Sequence, residues 1–96
     1  KSRAGAVTIV DKKNKVVGIF TDGDLRRLFN QDIDFINNKI KNVMTKNPLV
    51  IEESKLATEA LRLLKEKRID ELPAVDKKGR ATGVLDVQDL LEVGLV

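Results

Sequence analysis

The stretch VDKKNKVVGIFTDGDL, Val10 to Leu25, aligns without a gap on VDKKGRATGVLDVQDL, Val75 to Leu90, at an offset of 65 residues. Val10-Asp11-Lys12-Lys13 stands against Val75-Asp76-Lys77-Lys78, Gly18 against Gly83, and Asp24-Leu25 against Asp89-Leu90. The chain therefore carries two copies of one unit, and an internal repeat decides a fold more firmly than any single motif.

Within each copy an apolar run meets a polar turn and then a second apolar run. The first copy runs Ala6 to Val10, DKKNK, Val16 to Phe20; the second runs Leu72 to Val75, DKKGR, Thr82 to Leu85. Asp, Asn, Gly and Lys at the turn, flanked by β-branched residues, predict a hairpin in each copy. A helix follows each hairpin: Asp22 to Asn30 with Leu25, Leu28 and Phe29 on one face, and Val87 to Val93 with Leu90, Leu91 and Val93.

Only the second copy has material ahead of its hairpin. NPLVIEES predicts a short strand around Leu49 to Ile51, with Ser54 as N-cap of a helix from Lys55 to about Lys67. That helix sets an apolar stripe of Leu56, Ala57, Ala60, Leu61, Leu63 and Leu64 against a charged face of Lys55, Glu59, Arg62, Lys65 and Glu66. The complete unit thus reads strand, helix, strand, strand, helix. The first copy, at residues 1–40, begins late, with Lys1 to Gly5 entering its hairpin, whereas residues 41–96 hold the complete copy. The expected fold class is α+β, and the chain is expected to be a piece of something longer.

Composition removes several functions. A chain of 96 residues buries a little over ~60% of its unfolded surface, enough for one small core. It has no cysteine and no histidine, so disulfides, thiolate chemistry and the commonest metal ligand and neutral-pH general base are all missing, and catalysis by this chain alone is not expected. The 18 basic and 15 acidic residues nearly cancel, and Phe20, Phe29 and Phe35 are the only aromatics, which leaves no footprint for a nucleic-acid polymer. No apolar run approaches the ~18 residues of a membrane span, and Lys1-Ser2-Arg3 carries no signal-peptide pattern, so a cytoplasmic location is expected.

The βαββα unit repeated at about sixty residues, VMTKNPLVI leading into the complete copy, and a Gly-h-h-Thr-x-x-Asp junction (h apolar) at Gly18 to Asp24 resemble a tandem cystathionine-β-synthase (CBS) domain pair, over nearly the whole chain. More narrowly, GIFTDGDLRR, VMT and the ending DLLEVGLV resemble the C-terminal regulatory half of the arabinose 5-phosphate isomerases. The resemblance implies a CBS pair whose first repeat lacks its N-terminal strand and helix. It also implies an attached N-terminal sugar isomerase (SIS) domain, which in that family interconverts ribulose 5-phosphate and arabinose 5-phosphate for 3-deoxy-octulosonate and lipopolysaccharide synthesis. CBS pairs dimerise as flat discs through helix faces, so a homodimer is expected.

Thr21-Asp22-Gly23-Asp24 has two readings. As a capping box, Thr21 accepts a backbone N–H and Asp24 reaches back to the N-cap N–H, with Asp22 and Asp24 at the positive end of the helix dipole. As a ligand cradle, the same helix start offers N–H groups and a small Gly23 to an anion, and Asp24, an acceptor-only carboxylate, takes ribose hydroxyls. The resemblance implies the second: the matching Thr and Asp hold the phosphate and ribose of adenosine-type ligands, while the base packs against Leu49, Val50 and Ile51 with Met44 and Thr45 nearby. Arg26 or Arg27 is either a solvated helix residue, with Asp22 and Arg26 as an i,i+4 pair, or reaches a terminal phosphate or acidic sugar. Lys12-Lys13 and Lys77-Lys78 read as solvated turns.

The copies are not equivalent. Asp86 stands where Thr21 stands, replacing a hydroxyl donor by a like charge for a phosphate, so at most one competent site is expected, on the first copy's junction. Asp86 reads as an N-cap with Asp89 as its N3 partner. Two function classes follow: a regulatory sensor of AMP, ATP or a CMP-linked sugar, needing no cofactor, or a ligandless oligomerisation module in which Leu25, Leu28 and Phe29 are shared between core and interface.

Overall fold

A computed structural model describes residues 5–31 and 37–92. The expected helix residue Val93, the entry Lys1 to Ala4, Phe35 and the side chains of Asp89 and Leu91 lie outside the described residues. The strands form two three-stranded sheets, each built mainly from one copy of the repeat.

The first sheet holds strands β1 (Ala6–Val10), β2 (Val16–Thr21) and β3 (Thr45–Lys46), in that order and all antiparallel. Helix α1 (Asp22–Asn30) follows β2 directly, and a short helix α2 (Ile40–Val43) precedes β3. The second sheet holds β4 (Ile51–Glu52), β5 (Glu71–Val75) and β6 (Ala81–Asp86), with β4 parallel to β5 and β5 antiparallel to β6. Helix α3 (Ala57–Lys67) connects β4 to β5, and α4 (Val87–Glu92) follows β6.

The repeat is reproduced bond for bond. Ala6 pairs with Thr21 as Glu71 pairs with Asp86, and each hairpin breaks register at the same place, between Ile9 and Val10 and between Ala74 and Val75. In each turn an aspartate carboxylate gathers two backbone N–H groups: Asp11 Oδ1 accepts from Lys13 (2.8 Å) and Lys15 (3.0 Å), Asp76 Oδ1 from Lys78 (2.9 Å) and Arg80 (2.9 Å). Those donors favour the ionised form and hold both carboxyls below the ordinary aspartate value, led by the N–H of Lys15 and of Arg80. The turn needs a left-handed residue at its fourth position, filled by Asn14 (φ 64°) and Gly79 (φ 83°). The two turns also join the halves, for Ala81 N–H donates to Asn14 O at 2.8 Å.

Behind the second sheet, Ile51, Ala60, Leu64, Leu72 and Leu90 form the buried core, with Leu61, Leu63, Ile69, Leu85 and Val87 packed against it. The first half buries Ile19 and Leu28, while Val7 and Phe29 stay largely exposed.

Three expectations are corrected. The strand expected at Leu49 to Ile51 is β4 at Ile51–Glu52, because only from Ile51 onward does the backbone find a partner in β5. Ser54 is not the cap of α3: its hydroxyl donates to Glu52 Oε1 at 3.0 Å, and the N-cap is Leu56, with no side-chain cap bond. Because α3 starts two residues later than expected, Leu56 and Ala57 fall off the buried stripe, and Leu56 is 68% exposed. The peptide leading into the complete copy is also divided, since Thr45–Lys46 adds to the first sheet through Gly18 and Ile19 before the chain reaches β4.

Candidate functional site

Thr21 ends β2 in an extended conformation, and its Oγ1 accepts the Asp24 N–H at 3.1 Å. Asp24 Oδ2 in return accepts the Thr21 N–H at 2.8 Å, so the capping box is complete. The Asp22 N–H donates to Gly5 O at 2.7 Å. Helix starts leave their first N–H groups without helical partners. Here three of these donors are answered within the chain, and among the described residues none accepts from Gly23 N–H.

This helix start opens onto a cleft of about 770 Å³ between the two halves, a size ordinary for small-molecule sites. One wall carries Gly5, Ile19 and Thr21 to Asp24, with Arg26 and Arg27; Thr45, Pro48 and Leu49 close one side. The opposite wall is the loop from α3 into β5, Lys67 to Glu71, together with Pro73 and the junction Asp86, Val87 and Gln88. The repeat makes this cleft nearly two-fold symmetric: Gly5 and Asp70 are equivalent under the offset, and Val87 N–H donates to Asp70 O at 3.0 Å as Asp22 N–H does to Gly5 O.

Of the residues singled out from sequence, Thr21, Asp22, Gly23, Asp24, Arg27, Thr45 and Leu49 meet in the cleft. Met44 packs instead on Gly18, where any Cβ would fall 2.9 Å from its Cε, and neither Met44 nor Val50 lines the cleft. Asp24 is 4% exposed and fully engaged: besides the cap bond, its Oδ1 receives the Arg27 guanidinium and lies 3.5 Å from the Thr45 hydroxyl. The recorded ion pair of this helix start is thus Asp24 with Arg27. Asp86 occupies the position of Thr21 and is buried.

The wall from Lys67 to Glu71 was not anticipated. Its signal lay in the offset, which maps Gly5 and Ala6 onto Asp70 and Glu71. Arg68 closes α3 in the left-handed conformation (φ 55°), and Ile69 N–H returns to Leu64 O at 3.1 Å, a Schellman-type ending that turns the chain toward the cleft. Glu71 is opposed in register by Asp86. Loss of water raises its carboxyl above the ordinary value, and the charges of Asp70, Asp86, Asp22 and Asp24 push the same way. Each wall of the cleft therefore carries charge of both signs, Arg26 and Arg27 with Asp22 and Asp24 on one, and Lys67 and Arg68 with Asp70, Glu71 and Asp86 on the other.

The CBS domain family model matches residues 1–31 and 40–95. The chain is 38% identical over 92 residues to arabinose 5-phosphate isomerase KdsD of Pseudomonas aeruginosa, covering 96% of this chain and 28% of that protein. It is 39% identical over 93 residues to the inosine-5'-monophosphate dehydrogenase of Bifidobacterium longum, covering 96% of this chain and 17% of the enzyme. The chain thus spans less than a third of the length of these curated relatives. Among solved structures it superposes on CBSX2 in complex with AMP with a TM-score of 0.79 and 29% identity, over 97% of this chain and 72% of the other.

Proposed function

The chain belongs to the CBS domain family, and we propose on that premise that it is the regulatory, ligand-sensing part of a cytoplasmic arabinose 5-phosphate isomerase, with a nucleotide or nucleotide-sugar as ligand. The observation that carries the reading is the Gly23 N–H at the start of α1, without an acceptor among the described residues, beside the Thr21 hydroxyl and the Asp24 carboxylate in a cleft of nucleotide size. A phosphate is bound there by the Gly23 N–H and the positive pole of the helix, and Asp24 accepts ribose hydroxyls. AMP bound to CBSX2 supports a mononucleotide, and the likeness to KdsD supports an arabinose 5-phosphate isomerase as the parent protein, for which a CMP-linked acidic sugar is the candidate feedback ligand. Leu49, 42% exposed beside Pro48, offers the base an apolar surface. Because the cleft lies between the two halves, a ligand that prefers one spacing of its walls shifts the equilibrium between arrangements, and an attached SIS domain reads that shift. No catalytic step is assigned to this chain.

The test is thermal unfolding with AMP, ATP, CMP and a CMP-linked acidic sugar, on the wild-type chain, Asp24→Ala and Asp24→Asn. A ligand held only by the folded state at ~100 times its Kd adds about 2.7 kcal/mol, a shift of many degrees for a domain of this size. The reading requires one compound to raise the wild-type midpoint and to fail with Asp24→Asn, which keeps a cap acceptor. No shift with any compound at millimolar concentration rejects it. The second reading, a ligandless homodimerisation module, is favoured by Phe29, 67% exposed on α1, and is measured by sedimentation of the chain with and without Phe29→Glu.

A further inference from the structure

We propose that Arg27 is a built-in latch on the cleft, exchanging its partner from Asp24 to the phosphate of an incoming nucleotide. The proposal deepens the nucleotide reading above and rests on it. Asp24 is the carboxylate that reading assigns to ribose, yet both of its oxygens are taken: Oδ2 by the Thr21 N–H, and Oδ1 by the Arg27 guanidinium with the Thr45 hydroxyl at 3.5 Å. A ribose hydroxyl approaching Oδ1 competes with the arginine for that oxygen. The guanidinium also stands beside the start of the helix: a methyl group placed on Gly23 would lie 3.5 Å from Thr21 Oγ1 and 3.7 Å from Arg27 Nη1, so an anion seated at Gly23 is within reach of Arg27.

The two ends of this pair differ in freedom. Asp24 is 4% exposed and pinned by the cap, whereas the Arg27 side chain is 62% exposed. Opening is therefore a swing of the arginine alone. A ligand with both ribose and phosphate leaves no group unpaired after the swing, because the hydroxyls replace the guanidinium on Oδ1 and the guanidinium takes the phosphate in its fork. A nucleoside without phosphate breaks the pair and offers the arginine nothing. The latch thus selects phosphorylated ligands by withholding the ribose acceptor from neutral ones.

Calorimetric titration of AMP and of adenosine into the wild-type chain, Arg27→Ala and Arg27→Lys tests this. Exposed ion pairs carry a few tenths to one kcal/mol, so removing the latch should tighten adenosine about 2- to 5-fold. Loss of a charge-assisted phosphate bond should lower the preference for AMP over adenosine about tenfold. Arg27→Lys should keep part of that preference. Raising the salt concentration should tighten adenosine on the wild type but not on Arg27→Ala, a signature no purely structural role of Arg27 would give. If AMP binds and adenosine is no tighter on Arg27→Ala, the latch is refuted and the nucleotide site stands. If neither compound binds the wild type or any variant, the nucleotide reading itself is refuted and the latch with it.

Discussion

Gly18 and Gly83 hold the same place in the two copies, in β2 and β6, but the same methyl group should act on them with opposite sign. At Gly18 a Cβ would fall 2.9 Å from Met44 Cε and 3.0 Å from its Cγ, with the sulfur nearer still. At Gly83 no heavy atom lies within 4 Å of the corresponding position. Gly18 is buried in the central strand, flanked by Ile9 on one side and Lys46 on the other, so the added methyl must push the half-buried Met44 side chain off its present rotamer. Overpacking of this kind costs about 1–3 kcal/mol. Replacing glycine by alanine also removes freedom from the unfolded chain, worth about 0.4–1 kcal/mol in favour of folding wherever the backbone tolerates it.

Gly18→Ala should therefore lose up to about 1 kcal/mol net, or up to ~4–8 °C in midpoint for a small domain, while Gly83→Ala should gain a few degrees. Thermal unfolding followed by circular dichroism reads both. Met44→Ala in the Gly18→Ala background should recover most of the loss, since the two residues share one contact and their effects cannot be independent. Equal shifts for the two alanines, or no recovery by Met44→Ala, would refute the argument that Met44 is what makes Gly18 obligatory.

Glu71→Gln should raise the midpoint at pH 7, and the gain should vanish once the pH falls below the unfolded value of about 4.5, because a carboxyl raised by folding destabilises only where the unfolded chain has already released its proton; melting curves from pH 3.5 to 8 decide it, and a gain persisting at the acid end would be against it. Thr8→Val should stabilise by about 1 kcal/mol, since the Thr8 hydroxyl is buried with no partner among the described residues; chemical denaturation measures this, and a loss would mean the hydroxyl is satisfied. Arg68→Gly should add about 0.5–1 kcal/mol by removing a side chain from a left-handed position, read as a ligand-free midpoint; an unchanged or lower midpoint would show that the Arg68 side chain compensates its backbone.

The hairpins, both junction helices and the repeat were legible because each rests on local chemistry present twice. An aspartate that gathers turn N–H groups, followed by a residue able to go left-handed, dictates the same bonds at Asp11 and Asp76. The capping box of Thr21 and Asp24 was legible for the same reason. What escaped was set by tertiary partners. Nothing local tells Thr45–Lys46 to pair with β2 rather than continue into β4, and Leu56 looks like a stripe residue until β4 fixes where α3 begins. Neither was the acidic cluster around Glu71 visible in a stretch so mixed as Lys67 to Glu71. It arises because two register-paired positions, Glu71 and Asp86, carry like charge where their first-copy counterparts are Ala6 and Thr21.

That last difference gives the cleft its direction. A duplicated unit with a two-fold axis through the cleft presents two equivalent junctions, and a single small ligand would have no reason to choose between them. At the first junction the strand's last residue carries a hydroxyl; at the second it carries a buried carboxylate paired in register with Glu71. The Asp86 carboxylate repels an anion from the second junction, whereas the first offers the Thr21 hydroxyl at the start of α1, with Asp24 beside it as an acceptor for hydroxyls. Under the proposed reading, the exchange of Thr21 for Asp86 between the copies favours a phosphate on α1, and Arg27 stands at the end where that phosphate would arrive, so that the guanidinium could take the phosphate while hydroxyls and the Thr21 N–H hold Asp24.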